Sequence, residues 1–409
     1  MTGTNTIPED WDVHTLDEVS VKIQDGTHFS PTLGGSEYRY ITSRNIGNGR
    51  LRLDSVEMIS ESEHRKIYRR CDTRFGDLLL TKDGANTGNA AINSFMDEIS
   101  LLSSVAFIRA NYRQATEGYL LQYLLSGAGR KQIDDAMAGN AITRLTLAKI
   151  KALRVPMPRV EEQQRIASAL ADADELIAAL ERLIAKKQAV KQAMMQQLLT
   201  GRTRLPGFDQ PWSEVTIGDL AGVTGGGTPS TRISSLWGGG IPWFTPAEIP
   251  ESGAGVVTTS GRTITEAGLQ KSAAKLLPEG TVLVTSRASI GNCAVAGCPV
   301  ATNQGFTSLV PSDRRSTEFL YYWVQQHRSR FVSRAAGSTF LEISGSKVAA
   351  IEILAPAAEE QAAIGAVLSD ADAELRGLQQ RLTKAQDVKQ GMMQQLLTGR
   401  TRLAVEAVV

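Results

Sequence analysis

Asp387 and Lys389 stand at the Asp-x-Lys spacing of a nuclease, and "GGGTPS" at 225–230 is glycine-rich enough to suggest a phosphate cradle. Neither carries its chemistry through. Asp387 and Lys389 lie in a stretch whose apolar spacing is that of a coiled-coil helix, and the glycine run does not end in the lysine a nucleotide-binding loop needs. The sequence has no Pro-Pro, so it lacks the Asn- or Asp-Pro-Pro-aromatic tetrapeptide of an amino-methyltransferase. His14, His28, His64 and His327 are scattered without paired ligand spacing, and Cys293 and Cys298 have no second pair to make a zinc site. With Cys71 they read as small core residues. The reading assigns this chain no catalytic residue, no metal and no cofactor, which leaves side chains that bind.

The elements that must position such side chains are announced by a repeat. "MMQQLLTGRTRL" occupies 194–205 and returns unchanged at 392–403; aligned backwards without a gap, residues 161–205 lie over 359–403 at a constant offset of 198. Ile166, Leu170, Ala173, Ile177, Leu180 and Ile184 step by four and three, and Ile364, Leu368, Ala371, Leu375, Leu378 and Leu382 repeat those steps. That is a coiled-coil seam. Pro158 and Pro356 precede each segment, Glu-Glu pairs fall in its first turn, and Gly201 and Gly399 suit its C-terminal cap. Each helix is expected to run roughly 39 residues, about 58 Å.

The segments between the helices repeat more faintly. "WDVHTLDEV" from Trp11 matches "WSEVTIGDL" from Trp212, and "LLTKDGANTGN" at 79–89 matches "LVTSRASIGN" at 283–292. Short runs such as "YRYIT", "DLLLT", "VAFIRA", "TVLVT" and "TSLVP", bounded by turn residues, read as strands of a curved β-rich fold. "EGYLLQYLLSGAGRKQI" and "TEFLYYWVQQHRSRFV" read as its helices. The chain thus divides into variable unit 1–157, helix 158–205, variable unit 206–355 and helix 356–409.

At 409 residues there is room for two or three domains, and no targeting segment or long apolar run is visible, so a soluble cytoplasmic protein is expected. The formal net charge is +1, with acidic and basic side chains balanced within each variable unit. A nucleic-acid partner would have to be met by local patches.

Taken together, Trp11 with "DGTHFSP" (25–31), Trp212 with "GGGTPS" and "IPWFTPAEI" (241–249), and "VPMPRVEEQQRIA" (155–167) continued into "MMQQLLTGRTRL" make the chain resemble the specificity subunits of type I restriction-modification enzymes over residues 10–403. The resemblance implies an α+β architecture of two β-rich target-recognition domains joined by two long antiparallel coiled-coil helices, an internal repeat with pseudo-two-fold symmetry. It implies a non-catalytic subunit that reads split double-stranded DNA and holds two methyltransferase subunits and two ATP-driven restriction subunits. S-adenosylmethionine, ATP and Mg are then expected on those partners. The other classes are a coiled-coil scaffold without DNA reading and a single-chain modification enzyme, the second opposed by the missing motifs.

On that resemblance, base-reading side chains are sought on loops, among Arg, Lys, Asn, Gln and small hydroxyl residues. The loops after "LLLT" and "LVT" offer Lys82, Asp83 and Asn86 in the first domain, and Arg287 and Ser289 in the second. Thr27, His28 and Arg44 join the first set, and Thr228, Ser230, Arg232 and Gln304 the second, with Arg144 directed at phosphate. Two identical partners would need two copies of one surface. The candidates for it are Met194, Met195, Leu198, Leu199 and Arg202 with Met392, Met393, Leu396, Leu397 and Arg400, and Arg204 and Arg402 are expected to pair with acidic groups or phosphate.

Overall fold

Four-three spacing of apolar residues winds both duplicated segments into helices of 39 residues, Val160–Leu198 and Ala358–Leu396, in the computed structural model, which describes residues 7–138, 144–336 and 341–403. The expected length is met, and Ile166, Leu170, Leu180 and Ile184 are buried along the first seam as Ile364, Leu368, Leu375 and Leu378 are along the second. Gly201 and Gly399 follow the helix ends at φ 70° and 69°. That left-handed geometry favours glycine, and a Cβ at Gly399 would lie 2.3 Å from Pro8.

Residues form two compact units: Met1–Glu181 with Gln380–Val409, and Arg182–Gln379. Each contains one variable domain, the start of the long helix that follows the domain and the end of the other. Within the first unit those helix segments run antiparallel, since Lys389 meets Asp174 and Arg402 meets Glu162. Within the second, Lys191 meets Asp372 and Arg204 meets Glu360 in the same sense.

The two variable domains share one topology. In the first, Ser20–Asp25, Val105–Ala110, Leu78–Thr81 and Ala90–Ile92 make an antiparallel sheet in that order; Glu57–Ile59, Leu33–Ile41 and Ile99–Leu101 make a second. Asp12–Thr15 pairs with Arg154–Met157 where the chain enters and leaves the domain. In the second, Ala221–Gly225, Thr307–Pro311, Val282–Val284 and Cys293–Ala296 repeat the first sheet and add Val256–Val257 at its edge. Arg262–Ile264, Trp237–Phe244 and Ala301–Thr302 repeat the other, and Ser213–Thr216 pairs with Glu352–Ala355. The stretch expected as one helix from residue 117 is two, Glu117–Leu125 and Gly127–Met137: Ser126 is extended at φ −68°, ψ 161°, and its hydroxyl accepts from the N–H of Gly129 at 3.2 Å. Its counterpart also breaks, into Thr317–Gln326 and Arg328–Arg334.

The repeated apolar cluster corrects an expectation. Met393, Leu396 and Leu397 are buried in the core that holds Trp11, Leu120, Tyr123, Ile166 and Leu170. Met195, Leu198 and Leu199 are buried in the core that holds Phe319, Trp323, Ile364 and Leu368. Met194 and Met392 are half-buried against the same cores. These eight side chains form no exposed docking face, because the wide apolar face at each helix end has two neighbours inside its own unit, the other helix and the domain's helix. Cys71 and Cys293 are buried as expected, the Cys71 thiol pushed up to about 12 by burial, and Cys298 is half-buried.

Candidate nucleic-acid interface

The duplicated polar residues form a clasp in each unit. The guanidinium of Arg204 donates to both carboxylate oxygens of Glu360, at 2.6 Å each, and to the carbonyl of Gln210 at 2.7 Å. The indole of Trp212 donates to the same carboxylate at 3.1 Å. Arg402 likewise holds Glu162, and it reaches Asp10 at 3.0 and 3.1 Å. Hydrogen bonding from Arg402 keeps the Asp10 carboxyl below its ordinary range. Each clasp ties a helix start to the end of the other helix. A second tie fixes the domain: Asp174 takes Gln122 Nε2 at 2.9 Å and Lys389 Nζ at 2.6 Å, and Asp372 takes the hydroxyl of Tyr322 at 2.7 Å and Lys191 Nζ at 2.6 Å. Arg204 and Arg402 therefore meet acidic groups, as expected, and those groups belong to this chain.

On this frame the outward loops are held by the same backbone bonds in both domains. Lys82 N–H donates to Ser104 O at 2.8 Å and Ser286 N–H to Gly305 O at 2.7 Å; Thr27 N–H donates to Leu101 O at 2.8 Å and Gly227 N–H to Thr302 O at 2.9 Å. The turn after the strand is also common: Gly88 N–H donates to Thr81 O and Gly291 N–H to Thr285 O. At the turn's tip Gly84 takes φ 90°, and Ala288 takes φ 57° at the corresponding position, the one non-glycine residue with positive φ among those described.

In the first domain His28 and Lys82 gather on Asp25, which sequence reasoning passed over although it opens the "DGTHFSP" motif. Asp25 accepts from Arg70 Nη2 at 3.3 Å, shares a hydrogen bond with His28 Nε2 at 3.2 Å and forms an ion pair with Lys82 Nζ at 3.3 Å. Lys82 is 2% exposed, so its expected base contact is corrected: the ammonium is spent on a buried carboxylate. Thr27 is buried too, its hydroxyl accepting from Phe29 N–H at 3.2 Å, whereas His28 is exposed. Arg44 and Asp83 line one groove of about 780 Å³ together with Ser43, Ser104 and Tyr40. The Tyr40 hydroxyl there is buried without a hydrogen-bond partner among the described residues, and burial pushes its pKa up to about 12. Asn86 sits half-buried in the turn, its carbonyl accepting from Asn89 N–H. Arg144 pairs with Asp83 at 3.2 Å.

In the second domain Thr228 donates to Gln304 at 2.6 Å, both exposed, and Ser230 is exposed beyond them with its carbonyl taking the Trp237 indole at 3.1 Å. Arg232 is exposed on the same loop. Ser289 serves the turn through its carbonyl, which accepts from Thr285 Oγ1 at 2.5 Å and from Asn292 N–H at 3.1 Å. Arg287 pairs with Glu342 at 2.8 Å. Sequence reasoning also missed Arg262, whose guanidinium lies 3.6 Å over the Trp237 ring; the signal was the aromatic pair flanking "GGGIP". Arg202 and Arg400 are exposed beyond the helix ends, and Gln196, Gln197, Gln394 and Gln395 are exposed on the last turns. Among the described residues no group of three His, Cys, Asp or Glu side chains could hold a metal ion, and no helix is long and apolar enough to cross a membrane.

Comparison with known proteins agrees with this arrangement. Residues 8–192 and 209–385 each match the family model of the type I restriction modification DNA specificity domain. The specificity subunit of the type I restriction enzyme MjaIX from Methanocaldococcus jannaschii is 41% identical over 39% of this chain, an alignment spanning 37% of that protein. The putative type I enzyme MjaX specificity subunit of the same organism is 23% identical over 98% of this chain and 96% of its own length. Among solved structures, the S subunit of a type I restriction-modification system from M. genitalium has a TM-score of 0.62 at 15% identity, covering 97% of this chain and 98% of that one; it shares the fold.

Proposed function

Since the chain belongs to the type I restriction modification DNA specificity family, we propose that it is the DNA-reading subunit of such a complex. It performs no catalysis itself and recognises a split site, one half by each variable domain. The observation that supports this most is the pairing of constant and variable parts. Both domains hang their outward loops on the same backbone bonds and the same helix clasps, while the side chains on those loops differ. Two readers of different sequence on one repeated frame need that division. In the first domain the Arg44 groove is the base-facing surface. The orphan hydroxyl of Tyr40 would gain a partner there from a base edge. In the second, Thr228, Gln304, Ser230 and Arg232 form it.

Two methylating subunits, which bring S-adenosylmethionine, dock on the duplicated polar ends of the helices. Gln196, Gln197 and Arg202 offer one copy of that surface; Gln394, Gln395 and Arg400 offer the other. Two restriction subunits add the ATP- and Mg-dependent motor and nuclease in the complete cytoplasmic assembly. Exchange of residues 206–355 for those of a related subunit tests the reading. Methylome sequencing of cells carrying the hybrid is expected to show one half-site changed and the other kept, and a change in both halves would overturn independent reading.

A further inference from the structure

Asp83 and Arg287 occupy the same place in their domains. Each follows the residue whose backbone closes the loop: Lys82 N–H donates to Ser104 O while its carbonyl accepts from Leu145 N–H at 3.0 Å, and Ser286 N–H donates to Gly305 O while its carbonyl accepts from Ile343 N–H at 3.1 Å. The same bonds align Arg144 with Glu342, each one residue before the donor. Both domains form an ion pair between these two places, and its sign is reversed. In the first the loop supplies the carboxylate and the returning segment the guanidinium; in the second the loop supplies the guanidinium. All four side chains are about two-fifths exposed.

A side chain placed to neutralise phosphate has no reason to change sign or to exchange places with its partner. A pair whose only requirement is attraction can do both. Such exposed pairs add little to global stability, so its persistence in two otherwise diverged loops indicates a local task. We propose that Asp83–Arg144 and Arg287–Glu342 are one strut, built with opposite polarity, that positions the base-facing loop of each domain, and that neither arginine is itself a DNA contact. The loop ends of the strut belong to 82–89 and 286–292, and the other ends stand directly before the short helices Leu147–Lys151 and Gly345–Ala349. Each strut thus braces a turn that borders candidate readers, lining the Arg44 groove in the first domain and bonded to Gly305 beside Gln304 in the second, against the segment by which the chain returns to its long helix. These are positioning residues. The inference replaces the expected phosphate contact of Arg144 and base contact of Arg287, and it rests on the DNA-reading function proposed above.

The test uses the full chain assembled with its methylating subunits and a randomised duplex library, reading affinity and base preference at each half-site. Asp83→Arg alone and Arg144→Glu alone are each expected to weaken binding by about tenfold through a loosened loop. Each should also blur preference at the first half-site only. The double variant, which copies the polarity of the second domain, should restore affinity to within about twofold and the original preference. Arg287→Glu, Glu342→Arg and their combination provide the same cycle at the other half-site, so a fold defect in one set leaves the other decisive. If the double variant binds no better than Arg144→Glu, or Asp83→Arg alone tightens binding, the strut is overturned while DNA reading stands. A wild-type complex without base preference at either half-site overturns the DNA reading itself.

Discussion

Asp25 and Lys82 form a buried ion pair where the first domain's leading strand meets its outward loop, and the corresponding places in the second domain hold Gly225 and Ser286. At the helix ends the two units carry the same Arg–Glu pair, although the Trp212 indole joins it in the second unit and Asp10 joins it in the first. The difference teaches what each place must satisfy. A clasp residue touches a partner in a duplicated helix whose own surroundings are duplicated, so no single member can change alone. A loop residue answers only to neighbours within its own domain, and they can be replaced together by a smaller or inverted set.

The largest effect should come from breaking the pair that only one domain has. Asp25→Ala leaves the Lys82 ammonium buried without its carboxylate and is expected to destabilise the first unit by about 3 kcal/mol. Asp25→Gly with Lys82→Ser copies the second domain and should cost no more than about 1 kcal/mol. Hydrogen exchange resolved by unit is the measurement, and equal losses in both variants would mean that the pair's charge is not what matters. Next in size, Arg402→Ala strands the buried Glu162, whereas Arg204→Ala leaves the buried Glu360 with the Trp212 indole; both should speed exchange at the adjoining helix start, Arg402→Ala the more. An effect confined to one would break the equivalence of the clasps.

The turn tips give a smaller contrast of opposite sign. Ala288 holds φ 57° where Gly84 holds φ 90°, so Ala288→Gly should stabilise the second unit by about 1 kcal/mol and Gly84→Ala should cost the first a similar amount. Chemical denaturation of the two variants reads both. The smallest effect is a pH dependence peculiar to the second unit. Burial against Trp323, with Arg330 adding repulsion, lowers the pKa of His327 below its ordinary 6.5. The folded state therefore favours the neutral ring. Its contribution is present above pH 6.5 and is lost as pH falls through the folded value. His327→Gln should flatten that part of the second unit's stability profile and leave the first unit's unchanged.

The long helices were legible because a seam is a property of spacing: ten of its twelve named positions are leucine or isoleucine and the other two are alanine, and steps of four and three allow only one winding. That reading would have failed only at the ends. Met195, Leu198, Met393 and Leu396 present more apolar surface than one seam buries, and spacing alone does not say whether the second neighbour is a partner protein or the chain's own domain. The strands were legible as short apolar runs between turns, while the break at Ser126 depends on one hydroxyl reaching the N–H of Gly129. Among the site residues, Arg44, Thr228 and Gln304 stand exposed, as a base-reading side chain must. Lys82 does not, because the carboxylate that buries it lies 57 residues earlier and only folding brings Asp25 to it.

The division of the chain into units has a further consequence for how it is made. Residues 182–379 are contiguous and can complete their core, including Met195 and Leu368, as soon as they have left the ribosome. The first unit must wait, because Met393, Leu396 and Leu397 of its core are synthesised only after the whole of the second unit. The second domain is thus able to finish before the first, which stays open while residues 182–379 are made, with a closure of about two hundred residues still to make.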